Sequence, residues 1–155
     1  MNSRPGALLG VQVPRVSCYA ANAVDFLDGD EAVDLARGYG LPPDAWQATT
    51  VRNWLARRAD GRLAAGRCGQ SVPRQNGKNA NIEIVQLHKM VMQGRKILHT
   101  AHEVKTARKA FRRLASFFEN PRRYPELAAL VVEIRKANGQ EAILLSNGGS
   151  CEFSA

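Results

Sequence analysis

The sequence predicts an α/β fold, in which a partly parallel sheet is flanked by helices and followed by a C-terminal run of strands. Apolar residues recur at helical spacing over several stretches, and short apolar runs separate those stretches. The end of the chain alternates in the manner of strands joined by Asn–Gly turns. Helices and strands that alternate along a chain are typical of α/β proteins with parallel strands.

Two helices are predicted in the first part of the chain. Acidic residues crowd the first turn of a helix over 30–37, where the helix dipole favours them. The second helix lies in DAWQATTVRNWLARRA, with Asp44 as its N-cap. Its buried stripe is predicted to consist of Trp46, Thr50, Trp54 and Leu55.

Strands and helices are then predicted to alternate. A turn at Asp60–Gly61 precedes a run of small residues, which we interpret as a strand ending near Val72. A helix begins at about Lys78 and stops at Gly94, and KILHTA is a short apolar strand.

The clearest helix is HEVKTARKAFRRLASFF. Thr100 and Glu103 have the spacing of a capping box at its start. Its apolar face is predicted to be buried: Val104, Ala107, Phe111, Leu114, Ala115 and Phe118. A helical patch over 126–130 and the terminal strands follow, with turns at Asn138–Gly139 and Asn147–Gly148–Gly149.

Composition indicates a globular protein. The chain has 155 residues, of which 45% are hydrophobic and 23% charged, enough for one domain with a core. We interpret residues 1–40 as an N-terminal extension with a short helix, and residues 41–155 as the domain. No run of 18 apolar residues occurs and the N-terminus is a poor signal peptide, so we expect no membrane segment. Three widely spaced cysteines predict reduced thiols in an intracellular protein.

The net charge of +8 is concentrated in one segment. Between Lys89 and Arg123, ten lysines and arginines stand against two glutamates, and the remaining charges of the chain cancel. Such a segment attracts nucleic acid or acidic membrane surfaces, although a solvated basic helix face is a common alternative. The expected nucleic-acid contacts are the basic side chains of the clearest helix: Lys105, Arg108, Lys109, Arg112 and Arg113.

The segment SVPRQNGKNAN, residues 71–81, joins the predicted strand to the predicted helix. A strand–loop–helix turn directs backbone N–H groups and the positive end of a helix dipole at one point, where phosphate can bind. Gly77 permits a close approach of the backbone, and Lys78 supplies a cation. The pattern G-x-x-x-x-G-K-[ST] is half met, because Val72 and Asn79 stand at its first and last positions. From the pattern alone, an ordinary polar turn remains the alternative.

Three blocks of sequence resemble a known family. GLPPDAWQATTVRNWL, DGRLAAGRCGQSVPRQNGKN and ILHTAHEVKTARKAF occur in the order and at the spacing found in the ATPase domain of the large terminase subunits of tailed phages, particularly those that infect actinobacteria. The resemblance extends from about Leu41 to Ala155 and implies a truncated P-loop NTPase-like fold. It also implies ATP and Mg²⁺ as cofactors and a bacterial cytoplasmic location. In the complete DNA-packaging motor, the implied partners are double-stranded DNA, other terminase subunits and the portal.

The resemblance assigns roles to individual residues. Gln47 stands where the family's glutamine contacts adenine, and Asn79 would give a weak Mg²⁺ contact through the nucleotide. Arg74 could stabilise γ-phosphate charge or anchor the loop. The implied phosphate loop consists of Arg74, Gln75, Asn76, Gly77, Lys78 and Asn79.

No catalytic residue is assigned. The family uses an apolar strand ending in Asp–Glu (Walker B) to hold Mg²⁺ and orient water, and no such run follows residue 81. The family's nuclease domain is also missing, so we interpret the chain as a truncated fragment or prophage remnant that lacks turnover alone. The alternative is a non-catalytic nucleic-acid-binding or interaction fragment. Isolated glutamates are expected to face solvent: Glu133, Glu141 and Glu152. The histidines are not expected to bind metal: His88, His99 and His102.

Overall fold

The computed structural model describes residues 11–73 and 76–155. Within these ranges the chain forms helices and strands in the order α1 (Leu27–Gly38), α2 (Ala45–Leu55), α3 (Lys78–Val91), β1 (Lys96–Thr100), α4 (Val104–Phe118), α5 (Pro125–Leu130), β2 (Val131–Arg135), β3 (Ala142–Leu145) and β4 (Ser150–Ser154). The predicted α/β class is confirmed. In the described ranges, no helix is long and apolar enough to cross a membrane.

The four strands form one mixed sheet in the order β1-β4-β3-β2. β1 and β4 pair in parallel, with Ile97 opposite Cys151, while β3 pairs antiparallel with both β4 and β2. The predicted partly parallel sheet and the C-terminal run of strands are therefore both present. Gly139 has φ 76° in the connection between β2 and β3, a conformation that glycine adopts without steric strain.

The larger core lies between the sheet, α3 and α4. Phe111 and Phe153 meet edge to face with ring centroids 5.4 Å apart, and Leu114 and Phe118 are buried on the same side of α4. Val104, predicted to be buried, is 57% exposed, because the buried face of α4 starts one turn later at Ala107.

The predicted capping box at the start of α4 is wrong. Thr100 still belongs to β1, and the N-cap of α4 is Glu103, which makes no side-chain capping bond. The box would need Thr100 at the cap position, and pairing with Ser154 of β4 keeps that residue in the sheet instead.

A smaller core joins α1, α2 and α3. It consists of Ala32, Val33, Ala36, Val51, Leu55 and Ile84. α1 and α2 approach so closely that a Cβ at Gly29 would lie 2.4 Å from the Cα of Arg52. The buried stripe of α2 contains Gln47, Val51 and Leu55. The predicted stripe was wrong at Trp46, Thr50 and Trp54, which are only half-buried.

The predicted strand ending near Val72 is also wrong. Residues 64–73 form no strand, and the nearest pairing is an isolated antiparallel bridge between Arg57 and Leu63. Gly66 and Gly69 interrupt this segment, and it lacks the alternation of apolar residues that a half-buried strand needs. Residues 64–73 therefore form irregular backbone.

Candidate functional site

The first turn of α3 follows a glycine in the left-handed conformation. Gly77 has φ 72° and ψ 14°, and α3 begins at the next residue, Lys78, as predicted from the sequence. Asn76, Lys78 and Asn79 are exposed, and no acidic residue lies in the first turn. The other two residues of the predicted loop, Arg74 and Gln75, lie outside the described residues.

Gln47 fixes the position of this turn. Its side-chain Oε1 accepts a hydrogen bond from the Asp44 backbone N–H at 2.8 Å, and its Nε2 donates to the Gly77 carbonyl at 3.0 Å. The first bond completes a capping box at the start of α2, which confirms Asp44 as the predicted N-cap. A Cβ at residue 77 would lie 2.9 Å from the Gln47 Nε2, and the left-handed conformation itself favours glycine there. Contact of Gln47 with adenine stays a prediction.

A second side chain, that of Gln70, also holds the turn. Gln70 donates from Nε2 to the Lys78 carbonyl at 2.9 Å, and its Oε1 accepts from Asn81 Nδ2 at 2.7 Å. Asn81 is fully buried, and its Oδ1 has no hydrogen-bond partner within the described residues. These side-chain bonds position the segment before α3 in place of the predicted strand.

A groove of about 1280 Å³ opens beside the turn. The half-buried face of α2 forms one wall, residues 11–20, 65 and 67–73 form others, and Asn76 and Gly77 also line the space. The α2 wall consists of Trp46, Thr50, Asn53 and Trp54. The residues predicted to lie in the α2 core therefore line a cavity that continues to the start of α3.

Among the described residues, the side chains near the turn do not form a magnesium site. Mg²⁺ prefers carboxylate ligands. At the position predicted to contact Mg²⁺, the loop offers only the amide oxygen of the exposed Asn79 side chain. Asp44 also lines the groove, but its carboxylate accepts the backbone N–H of Gln47 as the N-cap of α2.

The basic side chains of α4 divide into two groups. Arg113 pairs with the buried Glu83 of α3 at 2.8 Å, and Arg108 pairs with the buried Glu141 at 3.2 Å. Glu141 is buried, so the expectation that it faces solvent is wrong, and Arg108, an expected nucleic-acid contact, is only half-exposed. Each arginine therefore supplies a cationic partner to a buried carboxylate. The other group is exposed and forms no ion pair within the described residues: Lys105, Lys109 and Arg112.

The buried carboxylates respond differently to their surroundings. Burial raises the pKa of Glu83, and the Arg113 guanidinium offsets only part of that rise. Hydrogen bonds from the Glu141 backbone, from Arg108 and from the Gly139 N–H hold the pKa of Glu141 below its ordinary value, although burial opposes them.

A histidine and two carboxylates come together on the far side of α3. Possible ligand atoms of Asp28, Glu31 and His88 lie within 4.8 Å of one another. However, Arg57 contacts the Asp28 carboxylate at 2.7 Å and the Lys89 ammonium lies 3.6 Å from it. Two protein cations therefore already neutralise Asp28, which disfavours a metal ion at this position.

Comparisons with known proteins return no relative. The chain matches no family model, no curated protein and no solved structure. The functional assignment therefore depends on the geometry of the residues described above and on the sequence resemblance.

Sequence reasoning missed the groove and the role of Gln70. A signal for the groove was present in the spacing of Trp46, Thr50, Asn53 and Trp54, which places all four on one face of a helix. Because the adjacent face with Val51 and Leu55 is also apolar, periodicity alone did not separate the core from the groove. No comparable signal marks Gln70, whose partners depend on how the irregular segment folds back.

Proposed function

We propose that the chain binds a nucleoside triphosphate through Asn76, Gly77, Lys78 and the first turn of α3. The observation that supports this best is the left-handed Gly77 directly before α3, with an exposed lysine next to it. The N–H groups of a first helical turn lack intrahelical acceptors, and their partial positive charge attracts phosphate. The absence of acidic residues from this turn leaves that attraction unopposed.

The finer assignment rests on the sequence resemblance. In it, the chain is the N-terminal part of the ATPase domain of a phage large terminase subunit, with a truncated P-loop NTPase-like fold. ATP is then the nucleotide, and double-stranded DNA, further terminase subunits and the portal are the partners of the complete motor in the host cytoplasm. Mg²⁺ would arrive bound to the phosphates, and the amide oxygen of Asn79 would be the loop group that contacts it.

Nucleotide titration of a single-lysine variant tests the proposal. We expect Lys78→Ala to weaken ATP binding at least about tenfold in isothermal titration calorimetry, because one cation near the phosphates is removed. Lys96→Ala is the matched control, since Lys96 is also exposed but lies on β1. Equal ATP affinity in the Lys78 variant and the unchanged protein would refute phosphate binding at this turn.

A second candidate function uses α4. The three unpaired cations Lys105, Lys109 and Arg112 follow one another at helical spacing on an exposed face, as expected for contacts to a phosphate backbone. This supports the alternative of a nucleic-acid-binding fragment, and the two candidates are separable. Lys78→Ala should affect ATP but not DNA, and Lys109→Ala should affect DNA but not ATP.

A further inference from the structure

We propose that Trp46 and Trp54 form a stacking platform for the nucleobase, and that Gln47 positions the loop instead of reading the base. This inference rests on the proposed function, because it places the base of the same nucleotide whose phosphates lie at the start of α3. It predicts a site that accepts purine nucleotides with little discrimination between adenine and guanine.

The first step is the division of α2 into two faces. Gln47, Val51 and Leu55 point into the protein and are buried, whereas Trp46 and Trp54 lie in the wall of the groove. Both tryptophans are half-buried, and neither contacts another aromatic ring within the described residues. Their indole rings are therefore held by the helix while part of each remains available to a ligand.

The second step is the continuity of the groove with the phosphate-binding turn. Asn76 and Gly77 line the same cavity as the two tryptophans, and Lys78 follows directly. The volume of about 1280 Å³ exceeds the roughly 300–1,000 Å³ of most ligand pockets, so a nucleoside fits beside the phosphates. A planar aromatic ligand is the chemistry that two indole rings recognise best.

The third step is that the polar side chains of α2 beside the tryptophans already form hydrogen bonds. The Gln47 amide uses its oxygen for the Asp44 N–H and its nitrogen for the Gly77 carbonyl. Within the groove, the Thr50 hydroxyl donates to the Trp46 carbonyl, and the Asn53 amide donates to the Thr49 carbonyl. Stacking tolerates every base because each base has a π-face, so a site dominated by stacking discriminates little.

The test compares ligands with and without a base. ATP, GTP and inorganic tripolyphosphate are titrated by calorimetry, with intrinsic fluorescence recorded in parallel. The chain contains only two tryptophans, and both lie in the groove, so their emission reports this site alone. We expect ATP and GTP to quench the emission and to bind within about fivefold of each other. Tripolyphosphate should bind about tenfold more weakly or worse and leave the emission unchanged.

Substitutions separate stacking from positioning. Trp46→Leu and Trp54→Leu should reduce ATP affinity to nearly that of tripolyphosphate, while Trp46→Phe and Trp54→Phe should stay within about threefold of the unchanged protein. The phenylalanine variants and the ligand comparison keep the test valid if a leucine variant does not fold. Gln47→Ala should weaken ATP and tripolyphosphate by the same factor, because it displaces the loop. A residue that reads the base would weaken ATP alone.

The outcomes distinguish the two proposals. If tripolyphosphate binds as tightly as ATP and both need Lys78, the phosphate site stands and the stacking platform is wrong. A preference of ATP over GTP above about fiftyfold that disappears in Gln47→Ala would also overturn the platform. If neither ATP nor tripolyphosphate binds, the proposed function fails and this inference fails with it.

Discussion

α3 and α4 both present positive charge, but they use it differently. In α4, Arg108 and Arg113 neutralise the buried carboxylates of Glu141 and Glu83. At the start of α3, Lys78 forms no ion pair within the described residues and stands beside the N–H groups of a first helical turn. The formal charge of a basic helix therefore overstates the charge that it can offer to a ligand, because part of it is neutralised inside the protein. The charge of Lys78, in contrast, is available to a ligand.

The largest expected effect concerns catalysis. We expect the start of α3 to bind ATP without hydrolysing it. We expect phosphate release from ATP with Mg²⁺ to stay near background for this chain. Lys78 and the turn offset ground-state charge, but hydrolysis also needs a group that orients water. Asp44, the carboxylate found in the groove wall, is engaged as a helix cap. Losing one well-placed catalytic group commonly costs on the order of a hundredfold or more.

Phosphate release by the unchanged protein and by Lys78→Ala is the measurement. Turnover on the order of one per second that disappears in the variant would contradict the prediction. Asp44→Asn would then identify whether the groove carboxylate is catalytic. Glu133 and Glu152 would be the next positions to substitute.

The second prediction concerns the free cations of α4. If three phosphates are contacted, the logarithm of DNA affinity falls with the logarithm of salt concentration with a slope of about −2.7, which is roughly fortyfold between 50 and 200 mM salt. Lys105→Ala, Lys109→Ala and Arg112→Ala should each reduce the slope by about one unit. The measurement is fluorescence anisotropy with a labelled duplex across a salt series. Binding that ignores salt would exclude phosphate contacts as its cause.

The third prediction tests whether an arginine of α4 stabilises the fold by pairing with a buried carboxylate, and it compares two adjacent arginines. Arg113→Ala leaves Glu83 buried without its partner, and we expect a loss of about 1–3 kcal/mol of unfolding free energy, reduced from fully buried cases because Arg113 is partly exposed. Arg112→Ala should change stability by less than about 0.5 kcal/mol, since Arg112 is exposed. Urea denaturation of both variants provides the comparison. Equal stabilities would show that the Glu83–Arg113 pair does not compensate burial.

The sequence predicted those elements whose signals are local. The start of α3 at Lys78, the N-cap at Asp44 and the strands of the C-terminal sheet each depend on nearby residues, and all three are present. Phe111 and Leu114 were assigned correctly to the core because an apolar face repeated over several turns is hard to misread.

Features set by tertiary contacts were not predictable in this way. The segment over 64–73 contains apolar residues, yet Gln70 holds it through side-chain bonds to Lys78 and Asn81. In α2, Trp46 and Val51 are both apolar, and only packing against α1 and α3 determines which of them is buried. The pairing of Arg108 with Glu141 joins residues 33 positions apart, which no spacing rule identifies.

The smallest expected effect is a pH dependence of stability that separates α3 further from α4. His88 lies buried in α3, and burial lowers its pKa below the ordinary value of 6.5, although Glu31 and Asp28 partly oppose this. The unfolded chain therefore binds a proton near pH 6.5 that the folded chain accepts only at lower pH. Stability is complete above pH 6.5 and declines as the pH falls toward the folded pKa, because the unfolded state then binds more protons. His99 contributes with the same sign, since burial lowers its pKa too.

We expect the Tm to fall by a few degrees between pH 7.5 and 5.5 in thermal unfolding followed by circular dichroism. His88→Gln should make this decline shallower without abolishing it. His102→Gln is the matched control, because the His102 side chain is 80% exposed and its variant should keep the full decline. A Tm that rises as the pH falls in the unchanged protein but not in His88→Gln would show that His88 is charged in the folded protein and paired with Glu31 at 3.4 Å.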